Sequence, residues 1–328
     1  MAWRAVALTS AIIAAAGVLG TGQAAAAAGW QPTVLPLPDG WRGGWAVATD
    51  GKGEYSGTFV DGNDGSLNVV IWRGGQATVV NPPTGCNDAE TVDENASRLI
   101  AVAASGCGED SHTVAYTYRG GAYQELPRPG GYADSHLTAV NTRGDVLGQL
   151  GTRAEPEVTV VWPASGEPVV IPDTLAGQSP TDIDDDGTIL FNTDTGPYLW
   201  RDGTMTALTV PDNFDAAFAQ AIRGGVVVGG ATRPGEELGN AAAYWWPEPT
   251  SPDRLFGGRA PRDINASGLT AGVMMTWQNG GPDGTLPIPP GYDTADVTAV
   301  GDDDSVLGSV GLQNTDRPFD QPTVWRRS

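Results

Sequence analysis

The chain has 328 residues, 40% of them hydrophobic, enough to bury a large core. Its 39 acidic residues face only 18 basic ones, with Lys52 the single lysine, and the formal net charge is -21. Such a surface repels phosphate backbones and anionic headgroups, which excludes nucleic acid and membrane surfaces as partners and leaves an extracellular protein or glycan, bound by a monomer, as the expectation.

Residues 1-28 read as an export signal: Arg4 supplies the charged start, Ala5 to Leu19 the apolar run, and Ala24 to Ala28 a small-residue cleavage stretch. The apolar run is short and broken by Gly17, Gly20 and Gly22, which argues against a membrane anchor. A secreted, extracellular protein is expected, with residues 29-328 forming one domain.

That domain repeats one segment. A Thr33-Leu37 strand comes first, and a unit then recurs seven times: an apolar inner strand, a tight turn, a Gly-containing second strand, a third strand ending in an aromatic, and an outer Val/Leu-Pro strand. Inner positions align at Val47, Val92, Val140, Ile183, Ile222, Ile264 and Val300, spaced by 36 to 48 residues. A period of about 40 residues without helical periodicity is the signature of a β-propeller, so the fold class is all-β with seven blades, six being the alternative.

Turns such as Asn141-Thr142-Arg143-Gly144 and Asn265-Ala266-Ser267-Gly268 follow the inner strands, with Asn, Asp and Gly suited to hairpin geometry. Gly57, Gly148, Gly229, Gly272 and Gly308 recur seven to ten residues past the inner position, where glycine allows close approach of the inner strands. The third strands end at Trp72, Tyr118, Trp162, Trp200, Trp245 or Trp246, Trp277 and Trp325. A tryptophan recurring at this spacing is a packing residue, since a binding residue has no need to recur. The sixth unit leaves little chain between Ile264 and Trp277, so a missing or very short third strand is expected there. The last unit lacks an outer strand, and the orphan strand at Val34-Leu35 is expected to pair with Thr323-Trp325 and close the ring.

The stretch Tyr198-Leu199-Trp200-Arg201-Asp202-Gly203-Thr204-Met205-Thr206-Ala207-Leu208, followed by Ala221-Ile222 and Val227-Val228-Gly229, resembles the HAF-type repeat of bacterial extracellular proteins. Gly196-Pro197-Tyr198 stands where that repeat has His-Ala-Phe. The resemblance implies an exported repeat protein of propeller type and brings no catalytic residues with it.

Candidate sites are few. Cys86 and Cys107 fall in two loops of one unit that should open on the same face, and an oxidising compartment favours their disulfide. Trp41, Tyr132, Phe214 and Tyr292 follow Pro/Gly/Asn turns in the loops entering four units. They could bind ligand by stacking on sugars or peptides, or serve as plugs packing each loop onto the ring. Asp182, Asp184 and Asp186, with Gly187, match the start of a calcium loop, but Thr193 occupies the twelfth position where a bidentate acid belongs, so an ordinary solvated turn is the competing reading. No other cofactor is expected.

His112 and His136 are the only histidines, each preceded by Asp-Ser, and no nucleophile elbow or metal-type cluster accompanies them. Asn95-Ala96-Ser97 and Asn265-Ala266-Ser267 match glycosylation acceptors but sit in repeat turns. The sequence thus favours a secreted binding module of unknown ligand. The alternative is an extracellular carbohydrate-active enzyme, hydrolase or lyase, using loop-face carboxylates that would have to converge in a central funnel.

Overall fold

A computed structural model describes residues 29-152, 155-171, 178-236, 240-312 and 321-328. It forms seven four-stranded antiparallel sheets, six of them from four strands consecutive in sequence, arranged as the blades of a propeller. The seven-bladed expectation holds, and the six-bladed alternative does not. Blade six (Pro261-Ile264, Leu269-Gly272, Met275-Gln278, Gly281-Thr285) has all four strands, its third reduced to four residues as the short chain demands.

The ring closes as the orphan strand predicts. Trp30-Val34 pairs antiparallel with Gln321-Arg327, matching Val34 to Thr323 and Thr33 to Val324, so the first strand becomes the outer strand of the last blade. Trp30 is buried there and donates its indole N-H to Thr276 Oγ1 of blade six at 3.1 Å. Closure covers the edge that Gln321-Arg327 would otherwise expose where the ring begins and ends.

Between blades, the recurring tryptophan acts as a peg. Trp72, Trp162, Trp246, Trp277 and Trp325 are each at most 3% exposed. Each donates Nε1-H to a backbone carbonyl in the segment preceding its blade, at Pro36, Pro127, Thr209, Phe256 and Pro287 respectively, over 2.7-3.0 Å. The ring fills the gap between sheets while its one polar atom finds a partner, the condition for burying an indole cheaply. In blade five the peg is Trp246, not Trp245.

Each inner strand carries a β-bulge near its end, and the register of these bulges corrects the sequence alignment. The residues that open the turns are Thr49 and Glu94 in the first two blades, paired with Tyr55 and Ile100, so Val47 and Val92 lie two residues too early. The bulge also explains the glycines. A Cβ on Gly57, Gly148, Gly229 or Gly308 would meet the carbonyl of Trp45, His136, Phe218 or Asp296 at 1.9-2.1 Å, because the bulge pushes that carbonyl onto the second strand. Blades two and four carry Val102 and Phe191 at the paired position, so this is a device of some blades and not of all.

The turns are tied to one another around the ring. Asn95, Asn141 and Asn265 each donate their side-chain amide to the carbonyl at the equivalent place in the next blade, Asn141, Asp184 and Gly301, over 2.8-3.1 Å. Buried and bonded in this way, Asn95 and Asn265 are structural and not available as glycosylation acceptors.

Candidate acidic channel

The bulges set the chemistry of the axis. The extra residue of every bulge, from Val47 and Val92 through Thr138, Thr181, Gln220 and Arg262 to Thr298, lines a cavity of about 430 Å³ at the loop end of the ring. The next residue in each strand alternates around the axis: Ala48, Asp93, Ala139, Asp182, Ala221, Asp263, Ala299. Asp93, Asp182 and Asp263 also line a second, smaller cavity of about 110 Å³ at the turn end. The three carboxylates therefore form a waist between the two mouths.

Each carboxylate clasps the following blade. Asp93, Asp182 and Asp263 accept backbone N-H bonds from Val140, Ile222 and Val300 at 2.6-2.8 Å. Asp182 and Asp263 also accept from the residue after them, Ile183 and Ile264, and Asp93 from Glu94. Two N-H bonds leave each carboxylate with acceptor capacity in hand. Desolvation nevertheless dominates and raises Asp263 to about 6, Asp93 to about 7 and Asp182 to about 8, with neighbouring carboxylates of the waist adding to the rise at Asp93 and Asp182 and Asp302 adding to it at Asp263.

Arg223 stands at the turn end of this channel. From blade five it reaches Asp302 in blade seven at 2.7 Å and Asp185 in blade four at 3.5 Å, spanning the mouth. Burial works against its charge, but the Asp302 and Asp185 carboxylates outweigh that cost and hold its pKa above the ordinary value. The loop end, lined by threonines and Gln220, is the wider opening.

The other sequence candidates lie elsewhere. Asp182 faces the waist, Asp184 caps the Gly224 and Gly225 amides of blade five at 2.9 and 2.6 Å, and Asp186 pairs with Arg201. The carboxylates of that loop diverge, and among the described residues no group of three or more His, Cys, Asp or Glu could hold a metal ion. Trp41, Tyr132, Phe214 and Tyr292 are half-buried and pack onto the cores of their own blades. Phe214, for example, meets Tyr244 edge-on at 5.5 Å beneath the Arg233 guanidinium. They do not converge on the channel.

His112 faces Asp134 at 3.3 Å through Nδ1 and Asp110 at 3.8 Å through Nε2, so both ring nitrogens meet carboxylates and neither meets a nucleophile. His136 lies 3.6 Å from Glu157. Cys86 and Cys107 are joined in a disulfide, as the loop positions predict, which suits an oxidising compartment. Among the described residues no helix is long and apolar enough to cross a membrane.

Sequence reasoning missed Asp93 and Asp263 and nominated Asp182 for a different role. The signal was present as an Asp directly before the turn-opening residue in alternate blades. It is visible only when blades one and two are placed in their bulged register.

Fold and channel together define a seven-bladed β-propeller with an acidic axial waist. No protein-family model matches the chain, and no curated protein matches it in sequence. In structure it is similar to a streptogramin B lyase, with a TM-score of 0.55 at 12% identity over 91% of this chain and 98% of that one. It is also similar to virginiamycin B lyase from Staphylococcus aureus with quinupristin, with a TM-score of 0.52 at 12% identity over 90% of this chain and 99% of that one. A Mycobacterium tuberculosis puromycin-hydrolyzing peptidase aligns at 12% identity and a TM-score of 0.53 over 87% of this chain and 52% of its own. At such identities the likeness shows the fold alone.

Proposed function

We propose that the protein is a secreted binding module whose ligand enters the loop-end mouth of the axial channel and presents a cationic or hydrogen-donating group to the waist. The observation that carries this reading is the convergence of Asp93, Asp182 and Asp263 at the floor of a cavity of about 430 Å³, a size usual for small-ligand sites. A cation there would relieve the mutual repulsion of the carboxylates. The resemblance to HAF-type repeats and the disulfide support an exported protein.

One observation favours a second reading, a carbohydrate-active enzyme. Burial raises Asp182 and Asp263 well above the ordinary carboxylate range, the direction in which glycoside chemistry tunes a general acid.

Melting-temperature scans at pH 7.5 with the organic cations spermidine and choline test the binding reading, since a native-state ligand stabilises by mass action. A rise with one of these cations that disappears when Asp93, Asp182 and Asp263 are all changed to Asn is the expected result. No rise with any cation would sink the cationic-ligand reading. Release of reducing sugar ends from a glycan panel, abolished by Asp182→Asn, would establish the enzyme instead.

A further inference from the structure

Above the waist, the described lining of the loop-end mouth carries charge in one place. Arg262, the extra residue of the blade-six bulge, stands 4.0 Å from Asp296 of blade seven, and both side chains line the cavity of about 430 Å³ while staying about half exposed. The other bulge residues are neutral, Val47 and Val92 in blades one and two and threonine or Gln220 elsewhere. An ion pair at the limit of contact with both partners wet contributes little to folding. Asp296 accepts only the Val297 N-H, through Oδ1 at 3.0 Å, among the described residues, so donors of Arg262 and lone pairs of Asp296 are left for a ligand.

A guanidinium and a carboxylate side by side match the carboxylate and ammonium that a free α-amino acid carries on one carbon. Below the pair the lining leads down to the waist. Asp296 lies three residues before Ala299, the waist-level residue of its strand, a depth of roughly 7-10 Å along a bulged strand. Val47 and Val92 give that depth an apolar wall, and Val92 is followed directly by Asp93. Methylenes laid along these valines bring a second cation to the waist carboxylates, and the depth suits a side chain of three or four of them. Asp93, Asp182, Asp263 and Asp296 outnumber Arg262 in the cavity, which favours a ligand with surplus positive charge over a neutral zwitterion.

We infer that the channel binds a free basic α-amino acid of the lysine, ornithine or arginine kind, with Arg262 taking its carboxylate, Asp296 its α-ammonium and the waist its side-chain cation. This rests on the reading of the channel as a cation site and adds to it a head-group pair at the mouth.

Isothermal titration at pH 8 with L-lysine, L-ornithine and L-arginine, and with cadaverine, L-norleucine and Nα-acetyl-L-lysine amide, tests this. At least one basic amino acid is expected to bind wild type. Cadaverine, which lacks the carboxylate, and the blocked lysine should bind about tenfold more weakly, and norleucine, which lacks the second cation, should not bind. Arg262→Gln, a change at a half-exposed side chain, should weaken the amino acid about tenfold and leave cadaverine unweakened, whereas Asp296→Asn should weaken both. Cadaverine, blocked lysine or norleucine binding as tightly as the amino acid, or an Arg262→Gln variant that binds the amino acid as wild type does, would overturn the inference and leave the cation reading standing. Failure of every basic amino acid and of cadaverine, or binding that survives when Asp93, Asp182 and Asp263 are all changed to Asn, would overturn the channel reading and this inference with it.

Discussion

A peg tryptophan makes two separable contributions, the volume of its ring and one hydrogen bond. Trp277 is fully buried, and its N-H reaches the Phe256 carbonyl at 2.9 Å. Trp277→Phe keeps most of the volume and orphans that carbonyl, at a cost of about 1-3 kcal/mol. Trp277→Ala opens a cavity as well and costs about 3-5 kcal/mol. Urea unfolding of both variants checks the division, and a Phe variant as stable as wild type would show that the bond contributes nothing. The peg was legible at this scale because it repeats. The partner carbonyl was not, because it lies 21 to 38 residues away in an otherwise unremarked segment.

Strands in this fold depend on what the next strand or blade offers them. The first strand has no hairpin partner of its own and is held by Gln321-Arg327 and by the burial of Trp30 in the core between blades six and seven. Trp30→Ala should cost about 3-5 kcal/mol and lower the melting midpoint by about 5-8 °C for a chain of this size. Differential scanning calorimetry reads the shift, and a change of only a degree or two would mean that the clasp is dispensable. The orphan strand could be matched to its partner from sequence because both ends of an incomplete unit were visible. The bulges could not, since one extra residue in an inner strand leaves the hydrophobic pattern nearly unchanged while it turns the following side chains to new neighbours.

The waist makes stability of the whole ring depend on pH. Asp93, Asp182 and Asp263 have folded-state pKa values raised from 3.8 to about 7, 8 and 6, so between those limits the folded protein binds more protons than the unfolded chain. Stability from these groups is therefore fully present near pH 4 and is lost as pH rises toward 8. The melting temperature of wild type should fall across that window more steeply than that of a variant with all three changed to Asn. Parallel curves for the two proteins would show that the waist does not titrate in this range.

By itself the sequence determined the class and closure of the fold: the period, the turn residues, the aromatic at each third strand and the orphan first strand each record a local requirement that every blade must meet. The disulfide was legible for the same reason, since both cysteines lie within one unit. Only the tertiary structure decided where chemistry can occur. Asp93, Asp182 and Asp263 stand 89 and 81 residues apart in the chain and become neighbours only when seven bulged strands surround one axis. Conversely, Asp182, Asp184 and Asp186 are close in sequence and are sent by strand pleat and turn to three different partners. Local pattern encodes the blade, whereas the channel is a property of the closed ring.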